Sequence, residues 1–226
     1  MSLKSQVLVR MVLAAILMPA ALFVPVGSVK FWQGWAYLAV YLIPIFLIMS
    51  YLLKRDPQLL ERRMHLKEKL SVQKVIQVAL PLIFCAGFVV SSFDYRFGWS
   101  RAFPEPVPLW LTLLSLALVL SGVLLVFRVM RVNSFAARTV EVEAGQQVVS
   151  SGPYSLVRHP MYSGIIVMSL ATPLALGSWI ALPVAALLVP VLVIRLLSEE
   201  RLLRRELPGY SEYCNRTRFR LVPLVW

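Results

Sequence analysis

The polar stretch around which this chain is organised reads Ser151-Gly-Pro-Tyr-Ser-Leu-Val-Arg-His-Pro-Met-Tyr162, and long apolar runs flank it on both sides. His159 within it is one of only 2 histidines in the chain. Proline is preferred at the first position of a helix, where its missing N–H costs nothing, so Pro160 predicts a helix start. Arg158 and His159 would then lie at a helix N-terminus, where free N–H groups and the helix dipole favour an anion. We therefore expect the main ligand site of the chain here.

The composition is that of a membrane protein. Of the 226 residues, 59% are hydrophobic and 15% are charged, and the mean hydropathy is +0.74. Soluble domains have roughly 25% charged residues. The net charge of +12 does not indicate nucleic-acid binding, because the basic residues cluster at the ends of apolar runs and form no stripe interleaved with aromatic residues. We interpret this charge as a signal of membrane topology.

Several classes of soluble protein are excluded by missing motifs. No Gly-x-Gly sequence occurs, which excludes the Rossmann turn and the glycine-rich turn of soluble methyltransferases, and there is no P-loop. Cys85 and Cys214 have neither metal-ligand spacing nor a disulfide pattern. The adjacent Glu199 and Glu200 alone cannot make a metal site. We expect no metal ion and no nucleic-acid partner.

The apolar runs predict an all-α polytopic membrane protein with about six transmembrane helices. We place these spans at about 11–27, 33–53, 75–93, 108–128, 161–177 and 179–197. Prolines within or near the spans predict kinked helices. The first run resembles a signal peptide, but Pro19 and Pro25 interrupt it and a second run follows almost at once. A retained helical hairpin fits this pattern better than a cleavage site.

The distribution of basic residues predicts the orientation. With six spans, all of the 23 Lys and Arg residues except Lys30, Arg96 and Arg101 fall on one side of the membrane. The positive-inside rule assigns that side to the cytoplasm. Both termini and the region of His159 are therefore expected to be cytosolic, in a prokaryotic-type inner membrane.

The chain divides into an N-terminal four-helix transmembrane region, 1–130, and a C-terminal catalytic region, 131–226, which contains the helical hairpin 161–197 and a cytosolic tail. Within the first region, the loop 54–74 has leucines and methionine at helical spacing among many charges. This pattern predicts an amphipathic helix on the anionic leaflet, and a solvated charged loop is the alternative. His65 in this loop is predicted to be a surface or interfacial residue.

The polar connection 131–151 leads directly into the histidine stretch, which is where a binding site would be built. Four valines in it could form short extended pieces beneath a ligand: Val140, Val142, Val148 and Val149. The last span is predicted to continue as a helix until Pro208-Gly209 stops it. Glu199 then lies one turn beyond Arg195 and projects on the same side.

Each residue of this constellation also has an ordinary role in a membrane protein. Arginine and histidine side chains extend to the interface, tyrosines form the aromatic belt, and glutamates balance nearby arginines. A Gly-Pro turn, a His-Pro helix start and two adjacent glutamates together exceed what membrane topology requires.

The run Gly152-Pro-Tyr-Ser-Leu-Val-Arg-His-Pro-Met-Tyr-Ser-Gly164, followed after a hydrophobic hairpin by Glu199-Glu200, resembles the Arg-His-Pro-x-Tyr…Glu-Glu signature of the isoprenylcysteine carboxyl methyltransferase family. That family of integral membrane enzymes is itself similar to the phospholipid N-methyltransferases. The resemblance covers about residues 131–216. It implies that S-adenosylmethionine binds in a cytosolic pocket and that a lipophilic acceptor enters sideways from the lipid bilayer.

Position by position, the resemblance implies cofactor contacts from the polar connection, the helix start and one glutamate: Gln146, Gln147, Val148, Val149, Tyr154, His159, Pro160, Met161, Tyr162 and Glu199. It also implies that Arg195 holds the carboxylate of the acceptor. Gln146 departs from the histidine expected at its position.

The chemistry of the residues agrees with this implication. The carboxylate of S-adenosylmethionine needs an anion site, which Arg158, His159 and the helix start would supply. Its ammonium needs a carboxylate partner, which Glu199 or Glu200 would supply. Tyr154 and Tyr162 offer aromatic surface for the adenine. We therefore assign catalytic roles to Arg195, His159 and Glu199, and cofactor-binding roles to the set above together with Arg158 and Glu200.

The nature of the acceptor stays open at this point. A carboxylate is already ionised at neutral pH and needs only in-line positioning, whereas a thiol or amine would need a base, for which His159 is the first candidate. We predict an S-adenosylmethionine-dependent membrane methyltransferase, most similar to an isoprenylcysteine carboxyl O-methyltransferase. The alternatives are a phospholipid N-methyltransferase-like enzyme, an NADPH-dependent membrane reductase and a non-enzymatic membrane scaffold.

Overall fold

The computed structural model describes residues 2–64, 71–102, 105–135 and 145–226. Within these ranges the chain forms α-helices joined by short connections, together with single 3-10 turns at Trp99–Ala102 and Gly152–Ser155, and contains no strand. This confirms the all-α prediction. The α-helices are α1 Leu3–Val26, α2 Trp32–Arg55, α3 Pro57–Met64, α4 Ser71–Phe97, α5 Leu109–Val132, α6 Pro160–Ala175, α7 Leu182–Ala186, α8 Leu188–Glu206 and α9 Tyr210–Arg216.

Five segments of the described chain are long and apolar enough to cross a membrane, which indicates an integral membrane protein. They are α1, α2, α4 from Gln73, α5, and α7 with α8 counted as one segment, Leu182–Glu206. The fifth predicted span corresponds to α6, which has only 16 residues. At 1.5 Å per residue α6 is about 24 Å long, shorter than the roughly 30 Å hydrocarbon layer.

The last predicted span, 179–197, has a different form from the one expected. It begins as the short helix α7, is interrupted at Leu187, and continues as α8 as far as Glu206. Pro190 lies in the first turn of α8, where its missing N–H removes one hydrogen bond to the preceding turn. The stop before Pro208-Gly209 agrees with the prediction, and Gly209 has a φ of 81° that favours glycine.

The helix α3 lies within the predicted amphipathic segment. Leu59 and Leu60 are 0% and 1% exposed and pack against Val7 of α1 and Leu52 of α2. Residues 57–64 are therefore a helix packed on the bundle and not a solvated loop. The prediction for His65 falls outside the described residues, as do those for Val140 and Val142.

The helices α5 and α6 make the most extensive helix contact in the described chain. A Cβ atom added to Gly122 would lie 2.7 Å from the carbonyl oxygen of Gly164, and one added to Gly164 would lie 3.0 Å from that of Gly122. Small residues allow the backbones of two helices to approach closely. Inside a membrane the hydrophobic effect does not hold helices together, and close van der Waals packing of this kind does so instead. This contact fixes where α6 begins.

The two ends of the bundle differ in character. At the end where α6 begins, called here the site end, α1 and α4 also begin, and α2, α5 and α8 end. At the other end, the buried Asp94 accepts hydrogen bonds from Ser100 of the 3-10 turn and from Ser178 between α6 and α7. These bonds attach the α6–α7 turn to α4.

Candidate functional site

Glu200 is the centre of a buried ion-pair cluster at the site end. Its Oε1 accepts a hydrogen bond from Arg158 Nε at 2.6 Å and lies 3.3 Å from His159 Nε2. Its Oε2 accepts from Arg220 Nε at 3.0 Å. The side chains of Glu200 and Arg158 are each 5% exposed. This carboxylate therefore holds the two residues that precede α6.

The segment after α9 gives the same two residues backbone partners. The N–H groups of Arg158 and His159 donate to the carbonyls of Phe219 and Arg220, each at 2.9 Å. Arg158 also donates through NH1 to the carbonyls of Thr217 and Arg218, each at 3.1 Å. The helix start at Pro160 is confirmed, and its position is set by these bonds on one side and by the α5–α6 contact on the other.

A polar pocket of about 120 Å³ opens beside this helix start. Every residue predicted to bind the cofactor lines it, with the exception of Glu200. The other described residues that line it are Asn133, Phe135, Arg195, Leu202, Leu203, Leu207, Tyr210 and Tyr213. Val148 and Val149 line the pocket without regular secondary structure, so they form no strand there.

The two adjacent glutamates face different surroundings. Glu199 accepts a 2.6 Å hydrogen bond from the hydroxyl of Tyr162 and lines the pocket. Glu200, one residue on, turns inward to the arginines. Arg158 lines the pocket, but its guanidinium is bonded to Glu200 and to two carbonyls. Its charge is thus balanced by the protein, which differs from the sequence-based expectation of an anion-binding group.

A chain of hydrogen bonds connects the pocket to α4. Arg195 donates from Nε to the Tyr162 hydroxyl at 3.0 Å and from NH1 to Gln73 Oε1 at 2.9 Å. Gln73 is 0% exposed. Glu199, Tyr162, Arg195 and Gln73 thus form one continuous network across three helices. Gln73 is not among the site residues predicted from the sequence, although a polar side chain in an apolar helix is itself a signal of function.

Three tyrosines give the pocket an aromatic side. Burial raises the pKa of Tyr154 to about 12 and raises that of Tyr210 and Tyr213 further. All three are therefore neutral at physiological pH. The Tyr154 hydroxyl accepts a hydrogen bond from Asn133 Nδ2 at 2.9 Å, and its carbonyl accepts one from the Tyr213 hydroxyl at 2.7 Å. These bonds connect the 3-10 turn at Gly152–Ser155 to the end of α5 and to α9.

A second, larger cavity lies deeper in the bundle, between α1, α2, α3, α4, α6 and α8. Its volume is about 530 Å³, within the range of pockets for small organic ligands. Most of its lining is apolar, with side chains such as Met11, Ile45 and Phe84. Met161, Tyr162 and Arg195 line both cavities. We call these three residues the shared wall.

Among the described residues, no group of three or more His, Cys, Asp or Glu side chains is arranged to hold a metal ion.

Comparison with known proteins identifies similarity over part of the chain. The model of the phospholipid methyltransferase family matches residues 110–208, which extend from α5 to just beyond α8. The mouse (Mus musculus) Delta(14)-sterol reductase is 34% identical over 91 residues, and the match covers 39% of this chain and 22% of the reductase. This chain thus matches about a fifth of the length of that relative. The family match supports a membrane methyltransferase.

Proposed function

We propose that the chain is an S-adenosylmethionine-dependent membrane methyltransferase that methylates a lipophilic acceptor, with carboxyl O-methylation as the reaction. The observation that carries the proposal is the pair of cavities that meet at the shared wall. The polar pocket collects the residues that the Arg-His-Pro-x-Tyr…Glu-Glu resemblance implies for the donor, and the apolar cavity opens on its other side.

The residues of the polar pocket fit this cofactor by their chemistry. Glu199 offers a carboxylate to an ammonium group or to ribose hydroxyls. The neutral rings of Tyr154 and Tyr210, with Phe135, offer aromatic surface to a purine. S-adenosylmethionine supplies an electrophilic methyl group on a sulfonium.

The shared wall would align the acceptor. Arg195 is held by Gln73 and Tyr162 in a fixed orientation, and it can bind a carboxylate at the boundary of the two cavities. In the transfer, a carboxylate oxygen forms a bond to the methyl carbon as the sulfur–carbon bond breaks, and the electron pair of that bond stays on sulfur. No proton moves, so positioning is the main contribution of the protein.

The donor site is tested by thermal unfolding of the detergent-solubilised chain with S-adenosylhomocysteine. We expect the ligand to raise the unfolding temperature of the wild type, and Glu199→Gln to abolish most of this rise. Glu206→Gln is the matched control, because Glu206 lies on the same helix, is exposed and pairs with its neighbour Arg205. A well-folded wild type without any shift would exclude the donor site.

A second candidate is a membrane reductase that uses NADPH, and the similarity to the Delta(14)-sterol reductase favours it. The same measurement separates the two functions. Saturable stabilisation by NADPH and none by S-adenosylhomocysteine would reverse the assignment. Stabilisation by S-adenosylhomocysteine without methyl transfer to any membrane lipid or protein would instead favour a non-enzymatic scaffold.

A further inference from the structure

Two polar residues that line the apolar cavity, Gln77 and Ser169, each carry a buried atom without a hydrogen-bond partner among the described residues. These atoms are Gln77 Nε2 and Ser169 Oγ. Ser169 is only 2% exposed. An unmade hydrogen bond at a buried position is costly, and it costs more where no water is at hand. Each such group in a native structure therefore needs an explanation, and a ligand is one.

The two atoms lie at different distances from the arginine-lined end of the cavity. Gln77 follows Gln73 by one turn of α4, and Ser169 follows Tyr162 by nearly two turns of α6. At 1.5 Å per residue they lie about 6 Å and about 10 Å deeper than the network of the shared wall. The surrounding side chains are mostly apolar. The two polar groups thus lie in the apolar part of the cavity and not at its arginine-lined end.

Three arginine side chains line one end of the same cavity. They are Arg10, Arg63 and Arg195, and this end is the site end of the bundle. Arg10 donates to the carbonyl of Met64 at 3.2 Å, and Arg63 lies 3.7 Å from the sulfur of Met161. These contacts draw the α1 and α3 arginines to the same part of the cavity as Arg195. Arginine side chains bind carboxylates and phosphates through charge-assisted hydrogen bonds, so a ligand with an acidic group fits this end of the cavity.

We propose that this cavity binds an anionic amphiphile whose apolar chain carries a hydroxyl or carbonyl oxygen, recognised by Gln77 and Ser169. Gln77 Nε2 donates a hydrogen bond, and the Ser169 hydroxyl donates or accepts one, so such an oxygen satisfies either group. The acidic head lies at the arginines. The identification of this amphiphile as the methyl acceptor rests on the proposed function, whereas its binding does not.

The test compares oleate with ricinoleate, which differ by one hydroxyl in the middle of the chain. Both are used to displace a fluorescent fatty acid from the full-length protein in detergent. We expect ricinoleate to bind about fivefold more tightly than oleate, the effect of one hydrogen bond. Oleyl alcohol, which lacks the charge, is expected to bind more weakly than oleate.

The variants Gln77→Leu and Ser169→Ala are expected to reduce the preference for ricinoleate toward equality and to leave oleate binding intact. Both replace an unpartnered polar group by an apolar one, so neither is expected to destabilise the fold. Ser121→Ala is the matched control, since the Ser121 hydroxyl bonds to its own helix and does not line the cavity. The two acids partition differently into micelles, but this difference is the same for every variant and cancels when the preference of a variant is compared with that of the wild type.

Equal binding of the two acids by the wild type, or a preference that survives in both variants, would overturn the proposal. Stabilisation by S-adenosylhomocysteine is measured on the same samples. A ricinoleate preference without stabilisation by S-adenosylhomocysteine would contradict the proposed methyltransferase function and support the amphiphile site. Stabilisation by S-adenosylhomocysteine without the ricinoleate preference would support the proposed function and contradict the amphiphile site.

Discussion

The substitution Glu200→Gln tests how the histidine stretch is held in place. The Glu200 carboxylate is the partner of Arg158 at 2.6 Å and of Arg220 at 3.0 Å, and it is almost completely buried. Glutamine keeps the shape of the glutamate side chain and removes its negative charge. Removal of one partner from a buried ion pair costs about 3–5 kcal/mol, because the other charge stays buried and unpaired. Most of this cost arises at Arg158, since Arg220 is 28% exposed.

The assay is unfolding of the chain in mixed micelles by increasing fractions of a denaturing detergent, followed by circular dichroism. Glu206→Gln is the control for the same chemical change, and its exposed pair with Arg205 predicts a cost of about 0–1 kcal/mol. Arg158→Met and the double variant complete a double-mutant cycle. We expect the double variant to be less destabilised than the sum of the single variants by at least about 1 kcal/mol.

Two results would refute this reasoning. One is a free energy of unfolding for Glu200→Gln that equals that of Glu206→Gln. The other is additivity in the double-mutant cycle, which would mean that Glu200 and Arg158 do not depend on one another. In the expected case, Glu200→Gln also weakens stabilisation by S-adenosylhomocysteine, because His159 and the start of α6 lose their support.

Three further predictions concern other parts of the molecule. Gly122→Ala should lower the unfolding temperature, because the new Cβ meets a carbonyl oxygen at 2.7 Å, whereas Gly87→Ala, whose Cβ meets nothing within 4 Å, should leave it unchanged or raise it. Tyr162→Phe removes the hydroxyl between Arg195 and Glu199, and calorimetric titration should show binding of S-adenosylhomocysteine weakened about tenfold. Burial raises the pKa of Cys214, so in a Cys85→Ser background its alkylation near neutral pH should be slower in the folded chain than in the denatured chain. An unchanged unfolding temperature for Gly122→Ala would contradict the first expectation, and an unchanged affinity for Tyr162→Phe would contradict the second. Equal alkylation rates of Cys214 in the folded and the denatured chain would contradict the third.

The placement of the apolar helices could be predicted because it depends on local features. The length of an apolar run and the position of Pro160 are visible in the sequence, and the structure has helices at these places. The length of α6, Pro160–Ala175, is close to that of the predicted span 161–177, whereas the interruption of the last span at Leu187 was not predicted. The attachment of the α6–α7 turn to Asp94, a residue more than eighty positions away, could not be predicted either.

The composition of the polar pocket was largely predictable from the histidine stretch and the two glutamates, but the partners of its charges were not. Neighbouring residues on a helix point about 100° apart, so only one of Glu199 and Glu200 can face the pocket. Which one does so depends on Arg158 and on the segment that follows α9. Gln73 could not be assigned to Arg195, because 122 positions separate them in sequence.

The shared wall has a thermodynamic consequence for the way the two cavities work. A ligand that shifts Met161, Tyr162 or Arg195 from one side changes the surface offered to the other side. Such coupling is reciprocal: if one ligand alters the affinity for the second by some factor, the second alters the affinity for the first by the same factor. Under the proposed function, an amphiphile that shifts the shared wall from the deeper cavity would change the affinity of the polar pocket for S-adenosylhomocysteine, before any product has formed.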